Sequence, residues 1–70
     1  MAIHILQVEV SREGKILNTQ SLPREFASVP EAIAQSQRLA EVHALNGENR
    51  EHGYWWYENK NRIYRLVVKG

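Results

Sequence analysis

Cysteine and aspartate are both missing from this chain, and no apolar run approaches the length of a membrane span. Without cysteine there is no disulfide framework and no thiolate metal site, and a reducing compartment is compatible. All eight acids are glutamates, and neither a GxSxG turn nor a glycine-rich phosphate loop occurs. The usual ways of activating a nucleophile or cradling a nucleotide are therefore absent from the sequence. MAIHILQVEV has no basic flank before its apolar residues, so neither a signal peptide nor a transmembrane helix is expected, and the reading is a cytoplasmic, soluble chain. No repeat or low-complexity stretch divides residues 1–70, which are expected to form one small domain. A chain of this size buries only about 60% of its unfolded surface, so partner contacts would add needed stability.

The three histidines, His4, His43 and His52, have no paired spacing. Glu48, Glu51 and His52 fall in one polar segment, but a solvated loop is the simpler account, and no metal or cofactor is expected. Ser36 and His43 share a helical side two turns apart, too distant for a nucleophile–base hydrogen bond. The chain reads as non-enzymatic.

Charge is nearly balanced overall, at +1, but unevenly placed. Residues 59–70 carry Lys60, Arg62, Arg65 and Lys69 with no acid, whereas residues 1–58 sum to −3. The same C-terminal stretch, GYWWYENKNRIYRLVVKG, holds both tryptophans and all three tyrosines. Aromatic and β-branched residues around Glu58-Asn59-Lys60-Asn61 spell a β-hairpin. With an even-length loop, Tyr57 opposes Arg62 and Trp56 opposes Ile63. One face then carries Trp55, Tyr57, Tyr64, Leu66 and Val68, and the other Tyr54, Trp56, Ile63, Arg65 and Val67.

Upstream, AIHILQVEV reads as a strand whose second half alternates cleanly, with Leu6, Val8 and Val10 on one side. That phase leaves Ile3 and Ile5 outward. Gly14 suits a turn, a weaker edge strand follows from Ile16 to about Gln20, and Ser21 to Ala27, interrupted by Pro23, reads as a connector in which Phe26 is a core plug. Ser28-Val29-Pro30-Glu31 is a helix start with Ser28 as cap. On the helix Val29, Ala32, Ile33, Ser36, Leu39, Ala40 and His43 gather on one side, and it should run to about Leu45, stopping at Asn46-Gly47.

The expected fold is α+β, in the order ββαββ: a four-stranded, mainly antiparallel sheet with one helix across one face. The helix would cover Leu6, Val8 and Val10 with the Trp55–Leu66 set. An uncovered face would show Ile3, Ile5, Tyr54, Trp56, Ile63, Arg65 and Val67. Such a patch of apolar and aromatic residues with arginine suits self-association, as a homodimer or with a protein partner. The alternative is single-stranded nucleic acid, stacked on Tyr54 and Trp56 with phosphates on Lys60, Arg62, Arg65 and Lys69. Net charge elsewhere opposes it, and the aromatic–glycine pattern of an RNA-recognition motif is absent.

Overall fold

The first hairpin begins with Ser11, whose carbonyl accepts from the Gly14 amide at 2.9 Å and whose amide donates to the Lys15 carbonyl at 2.8 Å. Gly14 closes this turn at φ 89°, a value that glycine adopts without a Cβ clash. In the computed structural model, which describes residues 2–70, the turn joins β1 (Ile3–Val10) to β2 (Ile16–Phe26). Helix α1 (Val29–Glu41) follows, then β3 (Leu45–Asn49), β4 (Tyr54–Asn59) and β5 (Arg62–Lys69). The strands form one antiparallel sheet in the order β2-β1-β5-β4-β3. The class is α+β as expected, but the order is ββαβββ and the sheet has five strands rather than four.

Strand β2 continues past Pro23, where a connector was expected. The register against β1 slips between His4, opposite Glu25, and Leu6, opposite Ser21. Pro23 falls in this irregularity on an edge strand, one of the few places where a missing amide is harmless. The extension delivers Phe26 to the core at 7% exposure.

Ser28 adopts an extended backbone, and its hydroxyl accepts from the Glu31 amide at 3.3 Å, with Pro30 in the first helical turn. The helix ends four residues earlier than the periodicity suggested. His43 leaves it to lie flat on Tyr57, with ring centroids 3.9 Å apart and planes 5° from parallel. The Asn46 side-chain amide then donates to the His43 carbonyl at 2.8 Å and holds the chain in its new direction. Leu45–Asn49 becomes an edge strand because the backbone of aromatic β4 would otherwise present an unpaired ladder.

Lys60 and Asn61 both have positive φ, 52° and 65°, which makes the last hairpin a two-residue turn of the kind that matches strand twist. Tyr57 therefore opposes Tyr64, and Trp56 opposes Arg65, two positions from the expected pairing. A shift of two leaves the faces unchanged. Beneath the helix, Ile5, Phe26, Tyr57 and Leu66 pack with Ala32 and Ala40. The expected phase of β1 is reversed: Ile3 and Ile5 join this core, and Leu6, Val8 and Val10 turn to the opposite face. Gln7 and Glu9 lie at the margin of the helix side, where the Tyr57 hydroxyl donates to Gln7 Oε1 at 3.1 Å and Arg62 pairs with Glu9 at 3.6 Å.

Candidate interaction face

The uncovered side of the sheet is built row by row from cross-strand partners, which share a face. Val8, Arg65, Trp56 and Gly47 form its middle row, and Val10, Ile63, Glu58 and Leu45 the row beside it. Leu6 and Val67 make a third. Arg65 lies in the central strand of the sheet, in the middle of these rows. Leu6, Val8, Tyr54, Trp56, Ile63 and Val67 around it are each half-buried, although among the described residues the helix packs on the other side of the sheet. Ile16 at 62% and Leu45 at 57% exposure extend the apolar surface to both edges.

Two shallow depressions cross this face and share Tyr54 and Arg65. The larger, ≈ 410 Å³, has a floor of Leu6, Val8 and Val67 and a rim that includes His52 and Lys69. The smaller, ≈ 300 Å³, is bounded by Asn49, Trp56, Glu58 and Ile63. The Arg65 guanidinium sits 5.2 Å from the Tyr54 ring centre, and the His52 ring lies 6.4 Å from it at 13° to its plane. The Tyr54 hydroxyl accepts from the Asn49 amide at 3.1 Å. Trp56 spreads over Gly47 so closely that a Cβ there would stand 2.9 Å from the indole.

At one end of the face Arg12 pairs with Glu58 at 3.2 Å. Among the described residues the other ion pairs are Arg50–Glu48 and Arg62–Glu9, so Arg65 has its cation–π contact and no carboxylate. On the helix side, burial raises the Tyr57 pKa above its usual value, and the neighbouring Tyr64 raises it further.

Of the residues expected on the uncovered face, Tyr54, Trp56, Ile63, Arg65 and Val67 do come together there. Ile3 and Ile5 do not; they pack under the helix. Lys69 lies at the rim opposite His4, Lys60 occupies the exposed hairpin turn, and Arg62 projects to the helix side. The sequence reading missed Leu6 and Val8 as members of the face; Val10 shares their side of the sheet but is buried, at 3% exposure. Their clean alternation was visible, but alternation alone gives two sides without saying which one the helix takes. His43 is stacked on Tyr57 and His52 on Tyr54, and no cluster of three metal-ligating side chains forms among the described residues. Ser36 is buried, with its hydroxyl donating to the Ala32 carbonyl at 2.9 Å. No protein-family model, curated protein or solved structure matches the chain.

Proposed function

We propose that this chain is a non-enzymatic interaction module that associates with a second copy of itself through the uncovered face of its sheet. One observation carries the reading: six half-buried apolar and aromatic side chains surround a single arginine on the side of the sheet opposite the helix-covered core. Aromatic residues with arginine are the side chains most enriched at interface centres, and a 70-residue chain gains core by covering them. The non-enzymatic reading draws support from Ser36 and His43, whose polar group and ring are already engaged inside the fold.

The nucleic-acid alternative keeps Tyr54, Trp56, Arg65 and Lys69 on one side, but Arg62 faces away and pairs with Glu9. The stacking surfaces are also engaged: Arg65 and His52 lie against Tyr54, and Trp56 lies against Gly47. A base would have to displace these contacts before gaining the ~1–3 kcal/mol of a stack.

Sedimentation equilibrium at micromolar concentration tests the reading. The wild-type chain should run as a dimer, unchanged by a single-stranded oligonucleotide. Trp56→Ala should weaken the dimer by about 2 kcal/mol, roughly thirty-fold in dissociation constant, as truncation of an interface anchor does. A monomer that gains mass only with the oligonucleotide would support the alternative instead.

A further inference from the structure

We infer the register of that association: each Arg65 meets the partner's Glu58, across a two-fold axis lying along the Trp56–Ile63 diagonal. The inference rests on the self-association reading and adds to it the charge contact that sets the pairing. Trp56 opposes Arg65, and Glu58 opposes Ile63, on the paired strands β4 and β5. These four side chains form a square on the open face, and all four border the ≈ 300 Å³ depression. Arg65 and Glu58 occupy one diagonal of the square; Trp56 and Ile63 occupy the other.

A two-fold axis between stacked faces lies in the plane between them, and each group off the axis meets the group mirrored across it. An axis through Arg65 would press two guanidinium groups together among apolar side chains, an arrangement that disfavours association. An axis along the other diagonal sets Trp56 and Ile63 against their own copies. It brings Arg65 over the partner's Glu58 twice, once on each side. Among the described residues no carboxylate pairs with Arg65, so the contact supplies a partner on desolvation. Glu58 is equipped for it. Arg12 engages only its Oε2, from a rim position where the arginine side chain is 63% exposed, which leaves Oε1 for a second cation. The other acid on this face, Glu25, stands on edge strand β2 opposite His4, with the Leu6 and Val8 positions between it and Arg65.

Charge reversal tests the register, with sedimentation equilibrium as the readout and circular dichroism to confirm folding. Arg65→Glu alone and Glu58→Arg alone each place like charges together, so each should weaken the dimer by about ten-fold or more. An equimolar mixture of the two variants restores both contacts in a heterodimer and should return to dimer mass. Single variants that remain fully dimeric, or a mixture that stays monomeric, would overturn the register while leaving self-association standing. A wild-type chain that is monomeric at these concentrations removes self-association and the register together. Should a reversal unfold the chain, Arg65→Gln and Glu58→Gln replace it. Their double variant should then be no weaker than either single one, and independent, multiplying losses would overturn the contact.

Discussion

Tyr57 joins three contacts that lie far apart in the chain: the His43 ring, the Tyr64 ring 5.0 Å away, and the Gln7 side chain fifty residues upstream. Its pKa is raised by burial first and by Tyr64 second, so the folded state holds the phenolic proton more tightly than the unfolded chain does. The sign follows from linkage. This contribution is fully present below the unfolded phenol's value, near 10, and is lost as pH rises through that value toward the folded one. Tyr57→Phe should therefore flatten part of the alkaline loss of stability, measured by urea unfolding between about pH 9 and 11. It should also cost roughly 1 kcal/mol at neutral pH, since the hydrogen bond to Gln7 goes. An alkaline slope identical to wild type would mean that this phenol does not control it. At this scale the face that Tyr57 shares with Trp55 was legible from alternation with Trp56. Its bond to Gln7 was not, because that depends on the reversed phase of β1.

At the scale of elements, β3 is the piece that local pattern concealed. Leu45-Asn46-Gly47-Glu48-Asn49 has little strand propensity, and Asn-Gly after an amphipathic run reads as a helix stop. The segment is strand because β4 offers it an open ladder and because Gly47 leaves room for the Trp56 indole. Gly47→Ala would place a methyl group 2.9 Å from that ring, so the indole must shift. The steric penalty of ~1–3 kcal/mol exceeds the ~0.4–1 kcal/mol that alanine returns by restricting the unfolded chain, and net destabilisation is expected. Denaturant unfolding followed by tryptophan fluorescence checks both consequences. Unchanged stability and emission would show that the indole yields without cost. The helix start, by contrast, was readable, since Ser28 and Glu31 make their contact within one turn.

For the whole molecule, the core is thin: beneath the helix the large side chains buried to 8% exposure or less are Ile5, Phe26, Tyr57 and Leu66. If the opposite face is covered by a second copy, stability includes a term set by protein concentration. The melting temperature should then rise steadily as concentration is raised from about 1 to 100 µM, and the rise should vanish in Trp56→Ala. A melting temperature independent of concentration in the wild-type chain would contradict a dimer that melts to unfolded monomers. The sequence by itself determined the α+β class, the helix cap, the aromatic hairpin and the two faces of β4 and β5. These follow from spacing within single segments, where side-chain direction is set by the backbone repeat. Only the tertiary structure decided that Ile3 and Ile5 belong to the core, that Leu6 and Val8 lie beside Arg65, and that Leu45–Asn49 is a strand. A strand apolar on both sides fits a sheet in either phase, and an edge forms where a neighbour's amides need partners, so both outcomes depend on residues distant in the chain.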